Sequence, residues 1–254
     1  MKRLGLALSG GGAWGGAHLG VLQVLESAGI RPGWLAGTSC GAIVGGLYAA
    51  GVTRAGQLEF AEGLRRRTLR MIGVRSMGIL RSGEMERFLA QVVGEQRVED
   101  LPFPVAVVAT EFRTGRSVVF REGLLAHALS ASSAIPIIFS PVVDGEAVLV
   151  DGGLTDNLPT QVCRGMGAEV VLAVDVTFGF GPQRHYHNLF DIAMGALELM
   201  VKGSTERGAE AADLCVHPDV APVHPHDLSH MAALVDAGER AMRAALPRLV
   251  ELLD

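Results

Sequence analysis

The chain has 254 residues, of which 49% are apolar and 19% are charged, a composition typical of a globular protein with one substantial core. Its formal net charge of −5 at pH 7 argues against nucleic acid as the main partner, because nucleic-acid-binding domains are usually basic. Three cysteines without a Cys-x-x-Cys pair argue against a disulfide scaffold or a zinc site and favour reduced, cytosolic thiols.

The N-terminal part of the chain predicts two strand–turn–helix units in succession. Residues 4–9 form a continuous apolar run, as expected for a strand covered on both faces, and a glycine-rich turn follows at 10–15. Apolar residues then recur at helical spacing over 17–28. A short strand at 34–36 leads into an apolar helix at 42–50. Two such units imply parallel strands joined by right-handed crossovers.

One stretch of this region is long enough to cross a membrane, because it carries no charge between Arg31 and Arg54. Pro32 and six glycines interrupt it, so a buried strand, turn and helix is the better interpretation. The apolar run that ends at Ser9 is too short for a signal peptide, and no A-x-A cleavage site follows it. We therefore expect a cytoplasmic protein.

The remainder of the chain predicts further elements of the same α/β architecture. Residues 53–100 are mainly helical and more polar. Beyond them the pattern indicates, in order, a strand at 104–110, its hairpin partner at 117–120, a helix at 123–131, a hairpin within 142–150, a strand at 169–176 and two long amphipathic helices within 188–254. No repeat, low-complexity tract or linker divides the chain, so we expect a single domain over residues 1–254.

A serine motif follows the second predicted strand. Ser39 lies in Gly37-Thr38-Ser39-Cys40-Gly41, which has the G-x-S-x-G spacing of a nucleophile elbow. In such an elbow the serine occupies a sharp strand-to-helix turn, and the flanking glycines allow close backbone approach. The glycine turn at 10–15 supplies backbone N–H groups of the kind that stabilise an oxyanion. Together these features predict acyl transfer to Ser39, with Cys40 interpreted as a packing residue.

The glycine turn also admits a second interpretation. Gly10, Gly12 and Gly15 match the G-x-G-x-x-G fingerprint of dinucleotide-binding proteins. That fingerprint needs an acidic residue at the end of the second strand, where this chain has the serine motif instead. A P-loop is excluded because no Gly-Lys-Ser/Thr follows the glycines. Nucleotide binding is therefore the weaker alternative.

A serine nucleophile needs a positioned base, and the sequence offers two kinds. An α/β-hydrolase would use a histidine, but it would also place several strands before its elbow. Most of the late histidines lie in polar, loop-like stretches: His185, His187, His217, His224, His226 and His230. Asp151 directly follows a predicted strand, so its carboxylate is the better candidate. Asp175, at another strand end, is the rival base, and His18 is interpreted as a packing or capping residue.

In their order and spacing these motifs resemble the patatin-like phospholipases, in particular bacterial members similar to the catalytic domain of neuropathy target esterase. The resemblance covers residues 4–176 and rests on four blocks: the glycine run at 10–20, the elbow at 37–42, the segment 131–136 with Phe139 and Pro141, and Asp151-Gly152-Gly153 followed by Asn157-Leu158-Pro159. It implies a three-layer α/β fold in which helices cover both faces of a mostly parallel central sheet.

The resemblance also implies an activity and a set of site residues. The activity is hydrolysis of lipid acyl esters through an acyl-enzyme, without a metal or another cofactor. Ser39 would be the nucleophile and Asp151 the base, with no catalytic histidine. The implied oxyanion hole consists of the backbone amides around Gly10, Gly11 and Gly12. The remaining motif glycines are Gly15, Gly37, Gly41, Gly152 and Gly153.

Three features leave alternatives open. Trp14 stands where the family usually has arginine, so a weakly active or non-catalytic member, which binds acyl groups or a partner protein, is the alternative function. The four arginines Arg65, Arg66, Arg67 and Arg70 are interpreted first as a solvated helix face and second as a contact with an anionic membrane surface. A helical stripe is interpreted first as core-facing and second as lipid-binding: Leu189, Ile192, Ala193, Ala196, Leu197 and Met200.

Overall fold

The structure of the protein, a computed structural model, describes residues 2–72, 81–178, 189–221, 223–225 and 227–254. The strands in these ranges are β1 Leu4–Leu8, β2 Trp34–Thr38, β3 Val105–Glu111, β4 Arg116–Phe120, β5 Val142–Asp144, β6 Ala147–Asp151, β7 Val170–Val174 and β8 Leu214–Val216. The helices in these ranges are α1 Gly16–Ser27, α2 Cys40–Ala49, α3 Arg54–Ile72, α4 Ser82–Val93, α5 Leu125–Ser132, α6 Gly153–Asp156, α7 Thr160–Gly165, α8 Leu189–Glu210 and α9 Met231–Leu253.

All of these strands belong to one sheet with the order β5-β6-β3-β2-β1-β7-β8, and β4 pairs with β3. The central strands β3, β2, β1, β7 and β8 pair in parallel, whereas β4, β5 and β6 make antiparallel pairs. The predicted mostly parallel sheet is confirmed. Sequence patterns missed β8, because three residues are too few to show an alternation of apolar and polar side chains.

The two faces of the sheet bury different residues. On one face the strand register aligns Leu35, Leu6 and Leu172, which pack in one core with α1, α2 and α9. On the other face it aligns a row of four alanines, Ala106, Ala36, Ala7 and Ala173. These small side chains let the chain around α7 pack close to the sheet. Helices therefore cover both faces, as the resemblance implies.

The C-terminal helix α9 is packed tightly on α1. A Cβ atom added at Gly238 would overlap the carbonyl oxygen of Ala17, and one added at Gly20 would overlap that of Val235. The C-terminal end of α9 reaches the start of β1, where the Lys2 N–H donates to the Leu253 carbonyl oxygen at 2.7 Å. This end of α9 therefore lies at the opposite end of β1 from the glycine turn.

Helix α8 differs from its prediction. Leu189, Ile192, Ala196 and Met200 are exposed, so the prediction of a core-facing stripe is wrong for these residues. The buried side of α8 contains smaller residues further along the helix, such as Ser204. Periodicity identifies an apolar side of a helix, but it does not reveal whether a neighbour covers that side. None of the described helices is long and apolar enough to cross a membrane.

Candidate active site

Ser39 occupies the single residue between β2 and α2. Its backbone has φ 52° and ψ −122°, in the left-handed half of conformational space that is costly for a residue with a side chain. The flanking glycines allow this turn to close. A Cβ at Gly37 would lie 2.7 Å from Ala42 Cα, and one at Gly41 would lie 2.5 Å from the Ser9 carbonyl oxygen. The local geometry is that of a nucleophile elbow.

The side chains of Ser39 and Asp151 are in direct contact. The Ser39 hydroxyl donates a hydrogen bond to Asp151 Oδ2 at 2.6 Å, and both residues are buried. The other carboxylate oxygen, Oδ1, accepts the backbone N–H of Gly153 at 2.8 Å. One oxygen is thus held by the backbone while the other is positioned to take the serine proton.

The sheet brings these two residues together along one edge of β3, because β2 and β6 pair with successive residues of that edge while β4 pairs with the other. Thr38, the last residue of β2, pairs with Val108, and the next residue of β3, Ala109, pairs with Asp151 at the end of β6. The chain after Asp151 passes very close to β3, because a Cβ at Gly152 would overlap the Val108 carbonyl oxygen. Only glycine fits at that position, which gives this motif residue a structural reason.

Burial gives Asp151 a pKa suited to a base. Desolvation raises the pKa of its carboxyl from the ordinary 3.8 to about 6, although the hydrogen bonds from Ser39 and Gly153 act in the opposite direction. The group is still mainly ionised at neutral pH. Because its pKa is higher, the carboxylate binds a proton more strongly than an exposed aspartate does.

The three glycines predicted for the oxyanion hole differ in their N–H groups. The Gly10 N–H donates to the Asn157 carbonyl oxygen at 3.1 Å and is therefore already engaged. The Gly12 N–H is directed at the Cys40 sulfur, a weak acceptor. The Gly11 N–H has no acceptor among the residues that the structure describes, which makes Gly11 the strongest donor candidate of the three. The N-terminus of α2 adds positive potential beside Ser39.

The glycine turn is held against the segment 223–225. The Ala13 N–H donates to the Pro225 carbonyl oxygen at 2.7 Å, and Trp14 Nε1 donates to the Val223 carbonyl oxygen at 2.7 Å. The Trp14 ring is buried and lines the cavity next to Ser39. A dinucleotide would need free N–H groups along this turn. Those of Gly10 and Ala13 are already bonded, which weakens the nucleotide alternative further.

His18 and Cys40 lie close to the site but are neutral. His18 is fully buried, and its Nε2 lies 2.9 Å from the Ser9 carbonyl oxygen. Burial lowers the pKa of His18 to about 4. Burial, with a smaller contribution from the Asp151 charge, raises the pKa of the Cys40 thiol to about 12. Both residues fit the packing interpretation that the sequence suggested.

The rival base Asp175 faces other partners. Its Oδ1 accepts the backbone N–H of Thr177 at 2.8 Å and the Thr177 hydroxyl at 2.7 Å, and its Oδ2 lies 3.5 Å from His217 Nδ1. Burial acts to raise the pKa of Asp175, but the neighbouring His217 and the hydrogen bonds from Thr177 lower it overall. Of the histidines that the structure describes, none hydrogen-bonds Ser39 or Asp151. The candidates His185, His187 and His226 lie outside the described residues.

Two residues of the site had no role in the sequence prediction. Ser132 accepts the Ser39 backbone N–H at 2.8 Å and donates to the Val108 carbonyl oxygen at 2.6 Å, which fixes the elbow to β3. Asn157 donates from its side chain to the Thr205 hydroxyl at 2.8 Å and so joins the glycine turn to α8. Both lie within segments that carry the family resemblance, which was the available signal.

Two cavities meet at Ser39, on either side of Gly12, Ile135 and Pro225. One has a volume of about 120 Å³ and is lined by Trp14, Asp151, Leu154, Met194, Leu197 and Lys202, among others. The other has a volume of about 440 Å³ and is lined by Ile43, Leu64, Met85, Ile138, Phe139 and Arg65, among others. Both walls are mainly apolar, which suits an acyl chain. No metal-binding cluster of side chains occurs in the described part of the chain.

The predicted arginine run has local partners. Arg65 and Arg66 pair with Glu62 at 2.6 and 2.8 Å, and the Arg67 guanidinium stacks over the Phe88 ring at 4.1 Å from its centroid. The side chain of Arg70 lies outside the described residues. These contacts agree with a solvated helix face, and a membrane contact by this run stays a prediction.

The geometry thus places the chain among α/β proteins with a buried serine elbow and a neighbouring carboxylate. The sequence matches the patatin-like phospholipase family over residues 6–164, and the chain belongs to that family. An uncharacterized NTE family protein of Mycobacterium tuberculosis (strain ATCC 25618 / H37Rv) is 41% identical over 179 residues, which cover 68% of this chain and 49% of the relative. Another from the same strain is 31% identical over 99% of this chain and 48% of its own length. Lysophospholipase NTE1 of Mycosarcoma maydis is 35% identical over 68% of this chain and 10% of its own. The chain therefore spans at most about half the length of these curated relatives.

Solved structures of the same fold superimpose on almost the whole chain, including the part beyond residues 6–164. VipD from Legionella pneumophila superimposes with a TM-score of 0.57 at 15% identity and covers 98% of this chain and 67% of its own. ExoU, from the ExoU–SpcU complex of the Pseudomonas aeruginosa type III secretion system, gives a TM-score of 0.52 at 18% identity over 99% of this chain and 52% of the other. The predicted fold class is confirmed, and the family points to hydrolysis of lipid esters.

Proposed function

We propose that the protein hydrolyses acyl esters of lipids, with Ser39 as the nucleophile and Asp151 as the proton acceptor. The observation that carries the proposal is the 2.6 Å hydrogen bond from the Ser39 hydroxyl to Asp151 Oδ2. The strained elbow and the raised pKa of Asp151 support it, because both are features that a merely structural serine does not need.

The first half of the reaction transfers the acyl group to the protein. Ser39 Oγ attacks the ester carbonyl carbon while its proton passes to Asp151 Oδ2. The carbonyl oxygen becomes an oxyanion beside the glycine turn, where the Gly11 N–H is the first donor, the Gly12 N–H the second, and the α2 N-terminus adds its potential. When the intermediate collapses, the bond to the leaving oxygen breaks. Asp151 returns the proton to that oxygen, which releases an alcohol.

The second half regenerates the serine. Asp151 accepts a proton from a water molecule, whose oxygen attacks the acyl carbon. The ester bond to Ser39 then breaks, the serine oxygen recovers its proton from Asp151, and a carboxylic acid leaves. A single carboxylate therefore serves both halves by moving one proton at a time.

The apolar cavities favour a lipid ester over a small polar one. The larger cavity contains Ile43, Met85, Ile138 and Phe139, with Arg65 among its polar lining residues. A lysophospholipid has one acyl chain and one charged head group, and one of the relatives carries the name lysophospholipase. We therefore place single-chain phospholipids first among the candidate lipid substrates.

The experiment that tests the proposal measures labelling and turnover together. Purified protein is treated with a fluorescent fluorophosphonate and, separately, with a short-chain nitrophenyl ester. Wild type should label and hydrolyse the ester, whereas Ser39→Ala should do neither. Asp151→Asn should lose at least about 10²-fold in hydrolysis, because it removes the general base.

Matched controls separate chemistry from folding. Ser133 is a neighbouring buried serine whose hydroxyl donates to the Leu129 carbonyl oxygen, so Ser133→Ala should still label. Asp156 is a carboxylate of the same segment without a bond to Ser39, so Asp156→Asn should keep its hydrolysis. Labelling that survives in Ser39→Ala would contradict the proposal.

The alternative of a weakly active or non-catalytic member rests on Trp14. The buried ring occupies the cavity wall next to Ser39 and removes the cation that the family usually has there. If wild type labels with the probe but hydrolyses no ester, Trp14→Arg is the informative variant. A gain of hydrolysis in that variant would favour the alternative.

Two further statements also stay proposals: a single patatin-like domain over residues 1–254 and a cytoplasmic location. The single domain is supported by the one sheet to which all strands from β1 to β8 belong.

A further inference from the structure

Helix α8 carries apolar residues on two opposite sides. Met194, Leu197 and Val201 line the smaller cavity beside Ser39. On the outer side Leu189, Ile192, Leu199 and Met200 have exposed fractions of 80, 56, 66 and 56%. A surface helix in water normally presents polar residues outward, so the outer side of α8 has a composition that core packing does not explain.

Further exposed apolar residues lie around the same cavity. Ile137 follows Pro136 and Phe178 follows Thr177, and both preceding residues line the cavity wall. Ile137 also has φ 76°, a conformation that is costly for a β-branched residue. We define the rim surface as Ile137, Phe178, Leu189, Ile192, Leu199 and Met200. It holds six of the ten large exposed hydrophobic side chains of the described residues, so exposed apolar surface is concentrated at the cavity.

The outward orientation of this side of α8 is fixed by the other half of the helix. Ser204 accepts the Asn157 N–H at 3.0 Å, and Thr205 accepts the Asn157 side chain at 2.8 Å. Gly208 packs so closely on Leu158 that an added Cβ would overlap its carbonyl oxygen. The helix is therefore anchored, and its apolar outer residues cannot turn inward without breaking these contacts.

We propose that the rim surface docks on a phospholipid bilayer and presents the mouth of the cavity to it. An amphipathic helix that lies in the interfacial plane of a membrane has this arrangement of side chains. Lys202 lines the cavity, has a side chain that is more than half exposed and lies 3.9 Å from Glu206, in an exposed ion pair that a lipid phosphate can replace. A second copy of the chain on this surface would close the cavity to substrate, which argues against self-association as the purpose of the surface.

Docking would let a lipid pass from the bilayer into the cavity beside Ser39, and this purpose rests on the proposed function. Binding itself does not require hydrolysis, so the two are tested separately. The variant Ser39→Ala, which cannot turn lipid over, is mixed with phosphatidylcholine vesicles with or without phosphatidylglycerol, and the bound fraction is measured by cosedimentation. We expect binding, and stronger binding to the vesicles that contain the anionic lipid.

The matched variants place a charge on or away from the rim surface. Ile192→Glu/Met200→Glu, made in the Ser39→Ala background, should reduce vesicle affinity at least about tenfold. Val250→Glu is the control, because Val250 is exposed near the end of α9 at the opposite end of β1. It should bind as the parent does. Thermal unfolding of all three proteins shows whether the exposed substitutions leave the fold intact.

Activity supplies the second readout. With Ser39 present, the Ile192→Glu/Met200→Glu variant should hydrolyse a soluble nitrophenyl ester at the wild-type rate and vesicle lipid much more slowly. Equal vesicle binding by the double variant and Val250→Glu overturns the proposal. The proposal is also overturned if vesicle binding is lost only when Arg65, Arg66 and Arg67 are replaced by alanine. It is likewise overturned if light scattering shows that the parent is a dimer and the double variant is a monomer. Absence of hydrolysis of the soluble ester by wild type counts against the proposed function and leaves the binding test standing.

Discussion

Asp151 and Asp175 are two buried aspartates at strand ends, and their surroundings shift the pKa of the carboxyl group in opposite directions. Asp151, at the end of β6, receives hydrogen bonds from one hydroxyl and one backbone N–H, and burial raises its pKa to about 6. Asp175, directly after β7, has His217 3.5 Å away and accepts two hydrogen bonds from Thr177, and together these neighbours lower its pKa despite burial. Similar burial is therefore accompanied by a raised pKa at one carboxylate and a lowered pKa at the other.

Each carboxylate accepts one hydroxyl and one backbone N–H, and the difference lies in His217, which lies 3.5 Å from Asp175. A carboxylate whose charge is fully compensated has no tendency to accept a further proton. Asp151 is under-compensated, and the one hydroxyl that it touches is the predicted nucleophile. Burial alone does not distinguish the proposed base from Asp175, and the neighbours of each carboxylate make the difference.

The largest expected effect is on catalysis. Replacing Asp151 by Asn should lower kcat/KM for a nitrophenyl ester about 10³-fold, because the general base is lost. Asp175→Asn should keep kcat/KM close to the wild-type value, since Asp175 has no contact with Ser39. Steady-state kinetics on both variants decide the matter, and a comparable loss in the two would remove the distinction between them.

The next effect is the dependence of the rate on pH. Because Asp151 acts only when ionised, kcat/KM should be full above its pKa of about 6 and fall roughly tenfold for each pH unit below it. A pH profile from 4 to 9 measures this directly. Asp175→Asn should show the same profile. A profile that is flat between pH 5 and 8 would contradict the assignment of Asp151.

The substitutions Asp151→Asn and Asp175→Asn should change the free energy of unfolding in opposite directions. The pKa of Asp151 is raised by folding, so its contribution to stability is full below the ordinary value of 3.8 and is lost as the pH rises through about 6. At pH 8 the buried charge then costs at most about 3 kcal/mol, and Asp151→Asn should raise the free energy of unfolding by up to that amount. The gain should shrink at pH 5. Chemical denaturation at the two pH values measures it.

Asp175 gives the opposite sign. Its pKa is lowered by folding, so its contribution is present above 3.8 and is lost as the pH falls through the folded value. Asp175→Asn should therefore lower the free energy of unfolding at pH 8, by about 2 kcal/mol for weakened bonds to a buried charge. If both substitutions stabilise the protein, the contrast between the two sites is wrong.

The smallest expected effect concerns a residue that positions the nucleophile without exchanging its proton. Ser132→Ala removes the acceptor of the Ser39 N–H and should lower kcat about tenfold, which corresponds to one hydrogen bond. The apparent pKa of the pH profile should stay near 6, because the Asp151 environment is unchanged. A shifted profile would show that Ser132 acts on the proton transfer as well. Ser133→Ala is the control, because the Ser133 hydroxyl donates to the Leu129 carbonyl oxygen of α5 and makes no bond to Ser39.

The sequence predicted most of the fold because its local patterns are strong. The continuous apolar run at β1 and the helical spacing of α1 gave both elements to within a residue or two. The elbow was recognisable because glycine is required at fixed positions around Ser39. The sequence placed Asp151 at a strand end, but its nearness to Ser39 depends on β2 and β6 pairing with successive residues along one edge of β3. No local pattern reveals which strands are neighbours in a sheet.

Other details depend on contacts that are remote in sequence. The Gly10 N–H is engaged by Asn157, which lies 147 residues later, and the outer side of α8 is exposed because no element of the described chain covers it. The apolar stripe of α8 is present in the sequence, but its spacing does not reveal which way the stripe faces. The roles of Ser132 and Asn157 were invisible for the same reason, because each acts by joining elements whose packing the sequence does not state.

The row of alanines on one face of the sheet sets a limit on how this protein can diverge. Ala7, Ala36, Ala106 and Ala173 are each completely buried between the sheet and the layer beside it, so a larger side chain at any of them would have to displace its neighbours. Substitutions there are costly, whereas the segments over the cavity can vary in size and shape. We therefore expect substitutions that alter the cavity at little cost to the fold in the loops and in α8, and not on this face of the sheet.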